Sequence, residues 1–298
     1  MFGPGGILCV CLVACAALSA AVPAQLDTRD VSLESLKEFT LFAEYAAAAY
    51  CDENLESPGT KVRCPKGNCP TVEKADTKTL TEFHGRYEYG DVAGFLAADA
   101  TNKRLVLSFR GTRSLSTWIA NLDLVLEELN DELCLGCSAH RGFWKSWQTV
   151  EKNLTEEIDL ALKARPGYSV TLTGHSYGAA LATLGAVALR NAGYKIELYT
   201  YGSPRVGNTE LAEYITAHGP NYRVTHSNDI VPRLPSHILG YTHSSPEYWI
   251  TTENDMKVTS SDIKVIDGVG SDEGNAGSGL DMSIPAHTWY FVEIDTCE

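Results

Sequence analysis

Past residue 22 the sequence has no long apolar run, which excludes a bundle of membrane-spanning helices. It has no excess of cations either. Lys and Arg number 24 against 38 Asp and Glu, for a formal net charge of -14. A nucleic-acid surface needs clustered basic side chains to neutralise phosphates, so that class of partner is excluded. The same argument disfavours tight electrostatic binding to anionic membranes. There is no internal repeat and no long linker, and one domain is expected. Hydrophobic residues make up 44%, enough to bury a sizeable core and too many for a disordered chain.

The one long apolar run, residues 7–22, is rich in Leu, Val, Ala and Cys and contains the small residues Ser19, Ala20 and Ala21. No Lys or Arg precedes it, yet it is short for a membrane span and nothing anchors its flanks. It reads as a signal peptide covering residues 1–21, cleaved near Ala20 or Ala21, so the protein is expected to be secreted. Residues 22–30 are expected to be a propeptide and 31–298 the functional domain. Six of the 9 cysteines lie beyond this segment: Cys51, Cys64, Cys69, Cys134, Cys137 and Cys297. An even number in an exported protein implies disulfides, although spacing alone leaves the pairing open. A zinc site built on Cys134 and Cys137 is disfavoured, because no second pair has finger-like spacing and exported thiols oxidise. Asn153-Leu154-Thr155 is the only glycosylation sequon.

Periodicity places a helix over 33–50, with Leu36, Phe39, Ala43, Ala46 and Tyr50 on one face. A buried strand is expected at 104–109. Phe143, Trp147, Val150, Leu154, Ile158 and Leu162 define a long amphipathic helix that Pro166 stops. Strand, helix, strand, helix and strand follow at 168–173, 179–191, 196–201, 211–217 and 222–226. Strands alternating with helices argue for an α/β sheet covered on both faces. The stretch from Gly268 to Gly279 reads as a surface loop.

Gly174-His175-Ser176-Tyr177-Gly178 matches G-x-S-x-G. A strand enters the motif and a small-residue helix leaves it, as a nucleophile elbow requires. Glycines two residues either side let strand and helix approach closely. Ser176 is then expected to be exposed above the sheet edge, at a helix N-terminus that favours developing negative charge. His175 is expected to be structural, its side chain pointing away. A serine hydroxyl needs a base, and in α/β-hydrolases the chain order is Ser, then Asp or Glu, then His. Asp229 directly follows the strand at 222–226 and is the candidate acid. Of the later histidines, His237 has no obvious support and His243 sits in a turn-like segment. His287 stands just before Trp289-Tyr290-Phe291, an aromatic run able to pack on the core, and is the candidate base.

The stretches LFAEYAAAAYC, KGNCPTVEKADT, GFLAADATNKRLVLSFRGTRS, TWIANL, TLTGHSYGAALATL, YGSPRVGN, RVTHSNDIVPRLP, HSSPEYWI and IPAHTWYF resemble, in that order, the fungal class 3 triacylglycerol lipases. The resemblance covers nearly all of the chain after about Val31. It implies an α/β-hydrolase fold, a single domain with a central, mostly parallel sheet and a short helical lid. It also implies Ser176 as nucleophile, Asp229 as orienting acid, His287 as general base, and disulfides Cys51–Cys297, Cys64–Cys69 and Cys134–Cys137. It points to Thr112 and the amide of Tyr177 as the oxyanion hole, where one donor typically contributes roughly 3–4 kcal/mol. Many relatives have Leu where this chain has Tyr177. Such chemistry needs no metal or organic cofactor.

After Thr112, Leu115, Trp118 and Ile119 form one apolar stripe at helical spacing, expected to be the lid. Exposing the three would cost on the order of 4–9 kcal/mol in water as an upper bound, most of which a lipid surface would remove. The resemblance therefore implies hydrolysis of triacylglycerol to diacylglycerol and fatty acid at a lipid–water interface. Rivals on the same scaffold are a mono- or diacylglycerol lipase, a phospholipase A1 and a feruloyl-type esterase, the last disfavoured by the apolar lid. A rival of another class is an inactive lipid- or wall-binding relative, against which the intact Ser, Asp, His and oxyanion set speaks.

Overall fold

The architecture comes from a computed structural model, which describes Met1, Gly3 and residues 31–297. The expected signal peptide and propeptide otherwise lie outside the described residues. Helix α1, Leu33–Ala48, starts where the Ser32 hydroxyl accepts the Ser35 N–H. Of the predicted face, Phe39, Ala43 and Ala46 are buried in the helix and Tyr50 just after it, while Leu36 at the exposed end is half-buried. After the short helix α2, Pro70–Lys74, come strands β1, Thr77–Tyr87, β2, Gly90–Asp99, and β3, Arg104–Phe109. Helix α3 is Leu115–Ala120 and helix α4 is Arg141–Ala164, which ends two residues before Pro166. Then alternate β4, Ser169–His175; α5, Tyr177–Asn191; β5, Ile196–Tyr201; α6, Thr209–Ala217; and β6, Asn221–His226. Strands β7, Glu247–Ile250, and β8, Ile263–Ile266, complete the main sheet.

The eight strands pair in chain order. Strands β1 to β3 are antiparallel, β3 to β7 run parallel, and β8 turns back against β7. The parallel part is what the alternating pattern predicts. The antiparallel pair β1–β2 was not assigned from sequence: the buried side chains of β1 are the threonines Thr77 and Thr79, and the rest of the strand is half-buried or exposed, which leaves no strong apolar signal.

Alternation across the pleat builds two cores. Leu105, Leu107 and Phe109 join one with α4, α5 and α6, while Val106 joins the other with α1. Both faces being covered explains why β3 reads as a continuous apolar run. The disulfides join Cys51 to Cys297, Cys64 to Cys69 and Cys134 to Cys137, as the resemblance implied. The first ties the end of α1 to the C-terminal segment. The Gly268 to Gly279 stretch carries no helix or strand, but it is not purely a surface loop, because Gly274 and Asn275 are buried.

Three histidines, buried His140 and His175 and half-buried His243, have their charged forms disfavoured. Burial pushes the His140 imidazole down to about 4. It holds His175 well below the usual value, with the His287 ring adding to the effect. It does the same for His243, beside Arg223 and Arg205. The unfolded chain takes up these protons near pH 6.5 and the native state does not. Stability is therefore lost as pH falls below about 6.5, each group adding a slope approaching 1.4 kcal/mol per pH unit. The raised carboxyls of Glu38, Glu44 and Asp295, each held up first by burial, act in the opposite sense as they protonate. Urea unfolding is expected to give a lower midpoint at about pH 5 than at about pH 7; equal midpoints would contradict the neutral burial of these rings.

Candidate active site

Ser176 stands between β4 and α5 with φ of 57° and ψ of -126°, a strained backbone for a residue with a side chain. The flanking glycines permit it. A Cβ at Gly174 would lie 2.5 Å from the Gly178 carbonyl group, and one at Gly178 would lie 2.2 Å from the Phe109 carbonyl oxygen on β3. Strand, turn and helix are thus packed backbone to backbone. The Ser176 N–H donates to the Tyr201 carbonyl at 2.9 Å, fixing the turn on the end of β5. One expectation is corrected: the elbow raises Ser176 at the strand's carboxyl end, but the surrounding chain leaves it only 1% exposed.

His287 belongs to a turn of 3-10 helix, Pro285–Thr288, entered through Pro285. Its Nδ1 lies 2.8 Å from Asp229 Oδ2. A carboxylate only accepts here, so Nδ1 carries the proton and Nε2 is left with its lone pair free. Nε2 and Ser176 Oγ are both buried, and neither has a hydrogen-bond partner among the described residues. Two contacts bring their surroundings together. A Cβ at Gly202, next to Tyr201, would lie 2.8 Å from the His287 ring and 3.0 Å from Asp229 Oδ2. The imidazole of His175, beside Ser176, meets the His287 carbonyl at 2.8 Å.

Asp229 is fully buried with every oxygen committed. Oδ1 accepts the Val231 N–H at 2.8 Å, and Oδ2 accepts both His287 Nδ1–H and, at 2.5 Å, the Tyr290 hydroxyl. Burial and the neighbouring Asp229 charge hold the Tyr290 phenol far above its usual range, so it stays a donor. Asn275, from the loop read as surface, donates to the Asp229 carbonyl at 2.9 Å. The same Asn275 uses its backbone N–H on the buried Glu247 carboxylate at 3.1 Å. Tyr290 was anticipated only as an aromatic packing residue, and Asn275 not at all.

His175 is structural, as expected. Its Nε2 donates to the His287 carbonyl, so Nδ1 accepts the Tyr50 hydroxyl at 2.7 Å. His243 is also structural, donating through Nε2 to the Pro232 carbonyl at 2.6 Å. His237 is exposed.

Thr112 follows β3 and lines a cavity of about 100 Å³ together with Gly90, Arg110, Trp118 and Tyr177. Its hydroxyl faces the Ser114 N–H at 3.4 Å. Tyr177 is the first residue of α5, so its amide has no carbonyl within the helix to bond. Its ring meets Phe143 edge-on at 5.8 Å, and its phenol, pushed up to about 12 by burial, lies beside Gly90 and Ser146. No residue of α3 is buried outright. Leu115, Trp118 and Ile119 are half-buried, and the Trp118 ring stacks over Phe143 at 6.1 Å. Asn153 lies exposed on α4.

The lipase (class 3) family matches residues 106–238, and the lipase 3 N-terminal region matches residues 7–81. The secreted mono- and diacylglycerol lipase A of Penicillium cyclopium is 46% identical over 288 residues, 95% of this chain and 93% of that protein. The secreted mono- and diacylglycerol lipase 1 of Fusarium solani is 39% identical over 269 residues, 90% and 79% of the two chains. The crystal structure of the mono- and diacylglycerol lipase from Aspergillus oryzae, 38% identical, superposes with a TM-score of 0.83 over 90% of this chain and all of that one. A strand–elbow–helix carrying a serine, a buried carboxylate–imidazole pair and this breadth of similarity converge on one assignment: the chain belongs to the class 3 lipases, carboxylic ester hydrolases of the α/β-hydrolase fold.

Proposed function

We propose that this lipase is secreted and hydrolyses acylglycerol esters through Ser176, His287 and Asp229, with mono- and diacylglycerols as preferred substrates. The observation that carries the mechanism is the His287–Asp229 contact at 2.8 Å, which leaves a buried imidazole lone pair with no other partner near the strained Ser176. Ser176 Oγ attacks the ester carbonyl as His287 Nε2 takes its proton. The Thr112 and Tyr177 amides hold the developing oxyanion. His287 then protonates the departing glyceride oxygen. Water, deprotonated by the same imidazole, releases the fatty acid. Asp229 holds the tautomer throughout, with Tyr290 bracing its carboxylate.

A serine that is 1% exposed cannot meet a substrate carbonyl, so part of the chain must move. Helix α3 is the element suited to do so, having six residues, none fully buried, and an apolar stripe facing inward. The preference for partial glycerides rests on the names of the Penicillium and Fusarium relatives.

Rates on emulsified mono-, di- and triolein and phosphatidylcholine test this reading. The mono- and diolein rates are expected to be highest, with a rise as each glyceride passes its solubility limit. Fastest turnover on phosphatidylcholine, or no rise at the solubility limit, would contradict it.

A further inference from the structure

We infer that Asn153 carries an N-linked glycan on the outer flank of α4, clear of the catalytic residues and laid over exposed Leu160. The inference rests on the reading that the chain is exported. Asn153-Leu154-Thr155 is the only acceptor sequence in the chain. Three disulfides mark a fold that matures in an oxidising compartment, and N-glycans are attached along that same export route. Within the acceptor sequence Leu154 is buried and Asn153 is exposed, so the core contact of α4 turns the asparagine outward. The amides of buried Asn54, Asn221 and Asn275 are each committed to backbone carbonyls, a structural use of asparagine that exposed Asn153 does not share.

The folded helix cannot itself accept the sugar. Successive residues of an α-helix turn by about 100°, so positions 153 and 155 face different sides. The Thr155 hydroxyl, which the acceptor needs beside its asparagine, donates instead to the Glu151 carbonyl at 2.7 Å. Transfer therefore precedes α4, while the segment is still extended. The donor is a lipid-diphosphate-linked oligosaccharide of the export machinery. Asn153 Nδ2 forms a bond to the anomeric carbon, and the bond from that carbon to the diphosphate oxygen breaks. The lipid diphosphate leaves with the electron pair, and the amide gives up one proton to a base. When α4 then forms, buried Val150, Leu154 and Ile158 face the core and hold the glycan outside.

The point of attachment has two consequences. Asn153 lies about 15 Å along α4 from Phe143, the residue over which Trp118 of α3 stacks. The glycan thus stands away from α3 and the Thr112 cavity and leaves ester cleavage alone. Leu160 follows Asn153 by two helical turns, about 10 Å, on the same face, and it is 60% exposed. The base of the glycan covers it, which removes an apolar side chain from reach of a second molecule.

The test is the mass of the enzyme recovered from the medium of a fungal host. Intact mass is expected to exceed that of the polypeptide, and peptide N-glycosidase is expected to remove the excess and leave Asp at position 153. Asn153→Gln and Thr155→Ala are expected to lose the excess, and Thr155→Ser to keep it. Initial rates of Asn153→Gln on a dissolved short-chain ester are expected to match the parent's. At high protein concentration Asn153→Gln is expected to self-associate more than the parent, read by light scattering, and a further Leu160→Ser change to reverse that. Protein in the medium at the polypeptide mass, or excess mass that survives in Asn153→Gln, would overturn the modification alone. Unmodified protein retained in the cell would overturn export and the modification with it. Parental light scattering by Asn153→Gln would overturn the placement over Leu160.

Discussion

Ser176→Ala is expected to lower turnover about a million-fold, judging from what removing the nucleophile does in other Ser-His-Asp enzymes. The loss is that large because, in the proposed mechanism, Ser176, His287 and Asp229 act as a unit. The imidazole at position 287 has a lone pair to take a proton, and without the hydroxyl there is no proton to take. The residual rate comes from the oxyanion donors and substrate positioning, which the variant leaves intact. The fold should survive, since the side chain accepts no structural hydrogen bond and the φ of 57° needs no hydroxyl. Two measurements separate the cases. Initial rates on emulsified diolein give the size of the loss. A fluorophosphonate probe should label the parent at Ser176 and leave the variant unlabelled. Labelling at another serine, or near-normal turnover, would remove Ser176 from the mechanism.

Replacing Cys51 and Cys297 together by Ser is expected to destabilise the protein by about 5 kcal/mol in the chain-entropy description. The two cysteines are 246 residues apart, so the bridge restrains most of the unfolded chain. For a protein of this size that corresponds to a fall in Tm of roughly 10–20 °C. Function should suffer sooner than global unfolding, because Tyr50 adjoins one end of the bridge. Tyr50 holds His175, and His175 holds the His287 carbonyl. Thermal unfolding of the double variant beside a Cys134→Ser, Cys137→Ser variant provides the control. That pair is separated by only 3 residues and should cost far less. Equal losses in the two variants would show that loop entropy is not the origin of the effect.

Much of the site was legible because its signals are local. G-x-S-x-G with a strand before and a helix after is a contiguous pattern, and the fold carries it as β4, Ser176 and α5. The choice of Asp229 and His287 followed from chain order and from the residues flanking each. The apolar stripe of α3 was readable from three positions at helical spacing. The antiparallel β1–β2 pair was not, because a strand at the sheet's edge has a weak apolar alternation and is stabilised by its neighbour. Nor was the role of Tyr290, whose phenol reaches a carboxylate 61 residues away. Asn275 was hidden in a Gly- and Ser-rich stretch whose composition says loop whether or not one of its side chains is buried.

The chain by itself determined the reaction class, the order of the candidate catalytic residues and the parallel half of the sheet, because each depends on residue types at short, fixed spacings. Only the tertiary structure decided that Ser176 is shut away from solvent, that Asp229 takes two donors on one oxygen, and that Asn275 reaches the Asp229 carbonyl from a distant loop. Burial and hydrogen bonding between residues far apart in the chain depend on how the elements stack, and no local spacing records that.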